Sequence, residues 1–351
     1  MTFDFWTTAA VADELRQTLV PGRVQQVLQA DAASLALEVY AGRERRYLLL
    51  SADQQTPRVH LLNEKPRRGV DTPSTLLQLL RKYVRGAALI AVHQPSWERI
   101  LRLDFQHPEF GQTSIVVELI GRWANLLLVR RVPSSPASFL PEGEGWGEGE
   151  PFRILECIHR HRPQEGATRP ALPGQLYQPP PAQSGLAPDA LNDALAQRLL
   201  DDAPADRLLW RVLIDSLHGL SPLAAREIVQ RAFGDAQSRV SQAGDVTALV
   251  ETVAAWVAML RTGVWQPCLA LDAAGAPVAF APFELTHRSD AHLEMATSIS
   301  RAAERFYDDK AQTTGDQYAA ARRQVAASIE RAVRGLEKRQ AAIQRELRPP
   351  G

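Results

Sequence analysis

The spacing of apolar and polar positions changes several times along the chain, and each spacing predicts an element. Val11, Leu15 and Leu19 fall at helical intervals behind Asp4, a good N-cap, and Pro21-Gly22 ends that run, so a helix is expected over 5–19. Four strand-like runs follow, Arg23–Leu28, Leu35–Tyr40, Tyr47–Ser51 and Val59–Leu62, separated by Ala30-Asp31, Gly42 and Pro57 in the manner of an antiparallel meander. A second helix is expected over 73–84, opened by Thr72 and Pro73. It turns Leu76, Leu77, Leu79 and Leu80 inward and gathers Arg81, Lys82 and Arg85 at the C-terminal end, where cations complement the helix dipole. Strands at Ala88–His93, Ile100–Phe105, Ser114–Ile120 and Leu126–Val129 complete an α+β unit of two helices beside a mainly antiparallel sheet.

After Val129 the pattern breaks. Residues 132–151 are rich in Pro, Gly, Glu and Ser, and Pro163–Pro188 holds seven prolines, which predicts an extended strap. Helical spacing resumes near Asp189, with helices expected at 189–200, 205–217, 222–233 and 245–262. The middle pair is joined by His218-Gly219-Leu220-Ser221-Pro222, where Gly permits a positive φ, Ser caps and Pro opens the next helix. A short hairpin is expected from Cys268–Leu271 and Val278–Phe280, followed by a helix over 291–311. A last helix is expected over 317–347, its narrow seam of Val325, Ile329, Ala332, Leu336, Ile343 and Leu347 needing a partner helix, in trans or from a longer chain. The expected organisation is 1–188, 189–264, 265–312 returning to the first unit, and 313–351. No internal repeat is present, which excludes solenoids and propellers.

Charge sharpens this picture more than composition does. The 40 basic and 40 acidic residues of the 351-residue chain cancel, yet residues 1–135 carry 17 basic against 13 acidic, 136–312 carry 15 against 23, and 313–351 carry 8 against 4. A basic head and tail around an acidic middle fit an anionic partner met by the ends of the chain, and fit ordinary charge scatter equally well. No apolar run near the start is long enough for a signal or a membrane span, so a cytoplasmic location without membrane attachment is expected. Two cysteines, Cys157 and Cys268, exclude a disulfide framework.

Phosphate-loop, dinucleotide-binding, nucleophile-elbow and zincin motifs are all missing. Cys157, His159 and His161 lack a second ligand pair, so no metal and no cofactor is expected. Two short signatures stand out instead, each putting charge where a strand meets a loop: Glu98-Arg99 after Trp97, and Glu118-Leu119-Ile120-Gly121-Arg122-Trp123-Ala124-Asn125. A surface ion pair, a packing corner and a partner contact all remain open for them. Gly219 and Arg226 in the helical hairpin, and Arg81 and Lys82, are further candidates for nucleic-acid phosphate contacts, with plain packing and dipole complementation as the alternatives.

Taken with Gly22-Arg23-Val24, Leu79-Leu80-Arg81-Lys82, Leu172-Pro173-Gly174-x-x-Tyr177, Gly219-Leu220-Ser221-Pro222, Phe280-x-Pro282-Phe283-x-Leu285-Thr286 and Arg305-Phe306-Tyr307, the two signatures form an ordered series along nearly the whole chain. That series resembles the NFACT proteins, the RqcH/NEMF/FbpA family. The resemblance implies a MutM-like NFACT-N domain, a helix-hairpin-helix domain and the first helix of a coiled coil, with self-association of that tail as one consequence. It further implies a non-enzymatic factor of ribosome-associated quality control. Such a factor binds the large ribosomal subunit, its rRNA and the stalled peptidyl-tRNA, and recruits tRNA, alanyl-tRNA in bacterial relatives, for template-independent tailing.

By the same resemblance Glu98, Arg99, Glu118, Leu119, Gly121 and Arg122 handle tRNA, Glu98 standing where the family usually has Asp. Their carboxylates are expected on base or ribose edges and their guanidiniums on phosphates or stacked bases. Two competing readings remain: a MutM-like DNA-repair protein, disfavoured because the chain starts Met1-Thr2 rather than with a proline nucleophile, and a fibronectin-binding adhesin.

Overall fold

The computed structural model describes residues 3–66, 69, 72–132, 151–162, 169–181, 185–309 and 333. Residues 1–304 form one compact unit and 305–351 a second. The helix expected over 317–347, apart from residue 333, with its self-associating seam, and the stretch 133–150 lie outside the described residues.

The chain opens with α1 (Phe5–Leu19), capped by the Asp4 carboxylate, which accepts from Thr7 N at 2.8 Å. Strands β1 (Gly22–Gln29), β2 (Ser34–Ala41), β3 (Glu44–Ser51) and β4 (Arg58–Leu62) form the expected meander. Helix α2 (Thr75–Tyr83) begins two residues later than its pattern suggests because Ser74, not Thr72, supplies the cap to Leu77 N. A second meander follows: β5 (Ala88–His93), β6 (Ile100–His107), β7 (Gly111–Glu118), β8 (Asn125–Arg131) and β9 (Phe152–Cys157). These nine strands make one antiparallel sheet in the order β4-β3-β2-β1-β5-β6-β7-β8-β9.

The sheet curls so that β3 lies against β8, and the His159 imidazole donates to the Ala52 carbonyl at 2.9 Å across the closure. With α1 packed on β2, β4, β5 and β6, strands such as β2 and β7 are buried on both faces. Their near-continuous apolar runs, in place of strict alternation, reflect this double burial. Several of the polar residues that fall inside pair with one another. Arg102 Nε meets Asp104 Oδ1 at 3.0 Å, and Asp104 also accepts from Ser114 Oγ at 2.7 Å.

The helical layer comprises α3 (Asp193–Asp201), α4 (Leu209–Ser216), α5 (Pro222–Phe233) and α6 (Val246–Thr262). It shares a core with Phe5, Trp6, Phe283 and Leu285. A smaller sheet, β11-β10-β12, is built from β10 (Cys268–Leu271), β11 (Pro277–Ala281) and β12 (His292–Met295). The helix expected over 291–311 is therefore corrected at its start. Residues 292–295 pair with β10, and helix begins only at 299, where Ser298 Oγ caps Arg301 N at 3.3 Å. Backbone pairing along β10 overrides the local helical pattern.

Candidate nucleic-acid interface

The two signatures lie twenty residues apart in sequence and are neighbours in space. The β6–β7 register sets Ile100 opposite Glu118, and just beyond the strands Leu119 N donates to the Arg99 carbonyl at 2.9 Å. Trp97 precedes this junction with a positive φ of 60°, a conformation costly for a bulky residue. Aromatic packing holds it there, its ring 5.0 Å from Phe5 and 6.2 Å from Trp6. Gln94 ties the loop further, donating to the Glu98 carbonyl at 3.0 Å. The half-buried Arg99 guanidinium lies below its ordinary pKa because of burial, opposed by the carboxylates of Asp4 and Glu98.

From Glu118 the chain turns through Leu119–Ala124 into β8. Gly121 takes φ 48°, and a Cβ there would meet nothing within 4 Å, so the turn, not crowding, calls for glycine. Asn125 is a clasp: its Nδ2 donates to the His159 carbonyl at 2.8 Å while its Oδ1 accepts from His159 N at 3.0 Å and Leu126 N at 2.9 Å. This bond set fastens the residues after β9 to the start of β8. The turn then presents Arg122 and Trp123 outward, both exposed, with the Arg122 guanidinium 5.3 Å from the Trp123 ring centre.

Glu118 behaves differently from its expected role. Its side chain is 0% exposed; Tyr177 Oη donates to Oε1 at 2.8 Å and Arg169 pairs with Oε2. Burial raises its pKa even though Arg169 and Tyr177 both favour the ionised form. The carboxylate expected on a base or ribose edge is thus turned inward, and Leu119, also fully buried, makes no outward surface. Both hold the corner in shape. Arg169 and Tyr177 come from the proline-rich strap, a segment whose composition speaks only of a connector. The signal that could have found Tyr177 is the Leu172-Pro173-Gly174-x-x-Tyr177 stretch of the motif series.

Asp4 connects the corner to the helical hairpin. One carboxylate oxygen caps α1, and the other accepts from Ser221 Oγ at 2.6 Å, while Ser221 also caps α5 through Ala224 N at 3.1 Å. Gly219, at φ 71°, leaves room for Phe5: a Cβ there would lie 3.1 Å from the ring. The hairpin glycine thus serves packing. Arg226 stacks on Trp210 at 4.2 Å. Arg81 and Lys82 lie apart from the corner. Lys82 sits over the rings of Tyr83 and Phe110 at 5.1 and 5.3 Å, and the Arg130 guanidinium lies 4.7 Å from the Tyr83 ring centre. Arg130 is five residues beyond Asn125 along β8, roughly 17 Å at the usual strand rise.

Cys157, His159 and His161 do not converge. The Cys157 thiol, pushed up to about 12 by burial and Glu156, donates to backbone carbonyls, and among the described residues no group of three candidate ligands could hold a metal. Among the same residues no helix is long and apolar enough to cross a membrane.

An α+β chain whose long antiparallel sheet ends in an arginine-bearing corner, braced by a helical hairpin, is a definite architectural class. Residues 4–133 and 149–349 match the model of the NFACT N-terminal and middle domains, and the chain belongs to that family. It is similar to the Rqc2 homolog RqcH of Streptococcus pneumoniae, 30% identical over 200 residues that make up 55% of this chain and 32% of the relative. It is also similar to the Rqc2 homolog RqcH of Bacillus subtilis, 26% identical over 237 residues, 66% of this chain and 38% of the relative. The matched part therefore spans about a third of each relative's length. The fibrinogen-binding protein of Staphylococcus aureus shares the fold at TM-score 0.67, with 22% identity, 88% of this chain and 100% of that one covered. The N-terminal part of the fibronectin/fibrinogen-binding protein of Streptococcus suis gives 0.65, with 23% identity and the same coverage.

Proposed function

We propose that this chain is an RNA-binding factor of ribosome-associated quality control, meeting tRNA at the corner formed by Arg99, Gly121 and Arg122. The junction of the two signatures, sealed by the Leu119–Arg99 backbone bond, supports this reading best. A packing corner needs neither a half-buried arginine that feels two carboxylates nor a second one displayed on a tight turn; a phosphate-bearing polymer uses both. The kinship with RqcH proteins supplies the context. The partners in this reading are the large ribosomal subunit with its rRNA, the stalled peptidyl-tRNA, and a recruited tRNA, alanyl in kind, used for C-terminal tailing in the cytoplasm. Peptide-bond chemistry belongs to the ribosome.

Within this site Glu98 and Arg99 face the ligand, Arg122 meets phosphate, and Glu118 and Leu119 act by positioning. Arg81, Lys82 and Arg226 are more distant phosphate contacts, and Gly219 contributes by letting the hairpin close on Phe5. The test is recovery of RNA from cells with stalled translation. The wild-type chain is expected to enrich large-subunit rRNA and a restricted set of tRNAs, and the Arg99→Ala, Arg122→Ala double variant to lose the tRNA. Equal tRNA recovery with both proteins would remove these residues from the site. Binding to fibronectin without any RNA enrichment would replace the reading with the adhesin one.

A further inference from the structure

Trp123 is the exposed tryptophan among the described residues: it keeps 39% of its surface open, whereas Trp6 and Trp256 are 1% exposed and Trp97, Trp210 and Trp265 are half-buried. An indole left in water forgoes one of the larger burial gains available to any side chain, so its position asks for an occupant. Its surroundings define one. Arg122 lies against the indole at 5.3 Å, and His161 approaches edge-on with ring centres 5.6 Å apart and planes at 69°. The His161 Nε2 atom is buried with no hydrogen-bond partner. Burial, His159 and Arg169 hold that ring below its ordinary pKa.

The platform is also rigid. Trp123 N donates to the Ile120 carbonyl at 2.9 Å and Ala124 N to Gly121 at 2.8 Å, and the Asn125 clasp fixes the segment carrying His161 to the same strand end. A fixed indole, a guanidinium against it and a lone hydrogen-bonding nitrogen at its edge match the three parts of an unpaired nucleotide: base face, phosphate and base edge. A protein partner would need an apolar surround, and the turn instead carries Arg122 and lies beside Arg99.

We infer that Trp123 is a stacking platform for an unpaired RNA base, with His161 at the base edge and Arg122 on the adjoining phosphate. This rests on the RNA-binding reading above and names the part of the RNA that the corner takes: a single-stranded loop nucleotide, not a duplex.

The experiment measures binding of the full chain to three probes: unfractionated tRNA, a fluorescently labelled short single-stranded RNA, and the same strand with abasic sugars. Trp123→Ala is expected to weaken the base-bearing strand about 10-fold, within the range for loss of one base–aromatic stack, with Trp123→Phe retaining most of the affinity. On the abasic strand wild type and Trp123→Ala should bind alike. The salt dependence should fall for Arg122→Ala and stay unchanged for Trp123→Ala. Unchanged affinity of Trp123→Ala for the base-bearing strand, while Arg99→Ala weakens it, overturns the stacking platform and leaves RNA binding intact. Failure of the wild type to bind any probe overturns the RNA-binding reading itself. An equal loss on base-bearing and abasic strands would assign Trp123 to shape alone and would also overturn the inference.

Discussion

Two buried glutamates, Glu118 and Glu227, show how the same side chain can brace two different kinds of corner. Both are 0% exposed and both pair with an arginine. Glu227, on α5, accepts from Arg231 Nε at 2.7 Å, Thr286 Oγ1 at 2.7 Å, His287 N at 3.1 Å and His287 Nδ1 at 2.7 Å. Together these donors, most of them from the loop after β11, more than offset desolvation, and its pKa falls to about 2. Glu118 receives only Arg169 and Tyr177, and burial wins, raising its pKa. The donor-saturated carboxylate welds the helical layer to the segment after β11. The under-supplied one sits behind the arginine corner and is the more easily neutralised of the pair.

Replacing each carboxylate by its amide should break this comparison most sharply. Glu227→Gln places an amide NH₂ among donors and leaves Arg231 without its counter-charge, a loss of about 3 kcal/mol by chemical denaturation. Glu118→Gln also leaves Arg169 without its counter-charge but disturbs fewer bonds, and should cost less, about 2 kcal/mol. Equal losses would show that the two sites are balanced alike.

The pH dependence should then separate the two glutamates by sign. Glu227 is depressed from 4.5, so the stability it contributes is present above about 4.5 and is lost as pH falls toward about 2. Glu118 is raised from 4.5, so its contribution is greatest below about 4.5 and declines as pH rises through the folded-state value. Denaturation midpoints measured across this range should show Glu118→Gln removing a loss on the alkaline side and Glu227→Gln removing one on the acid side. The smallest effect is expected from Tyr177→Phe, which deletes the 2.8 Å bond to Glu118 and should cost about 0.5–1 kcal/mol in thermal or chemical unfolding. A larger loss would mean that the strap, through Tyr177, carries more of the corner than its hydrogen bond suggests.

Much of the fold is legible in the chain's pattern. Helices α1 and α5, and strands β5 and β10, lie within a residue of where the pattern puts them, because local spacing, caps and breakers all agree. Strand β9 escapes the pattern, since it is short and follows a Pro/Gly-rich stretch. Strand β12 has the spacing of a helix, and its pairing partner β10 lies over twenty residues back, where no local pattern encodes the pairing. For the corner, the sequence marks Glu98, Arg99, Glu118 and Arg122 as residues of interest, and leaves Asp4, Arg169, Tyr177 and His161 unmarked as neighbours of that corner. Each arrives from a distant segment, and distance along the chain hides electrostatic proximity.

The sequence by itself determined the α+β class, the first meander and the capped hairpin, which follow from spacing, caps and breakers within a few residues, and it carries the ordered motif series that resembles the family. Only the tertiary structure decided that the two signatures are one junction, that Glu118 faces inward while Trp123 faces solvent, and that Gly219 is small for the sake of Phe5. The reason is physical: which face a side chain shows, and whether burial or hydrogen bonding governs its charge, depends on what folding brings beside it, and a strand read alone carries no record of its neighbours.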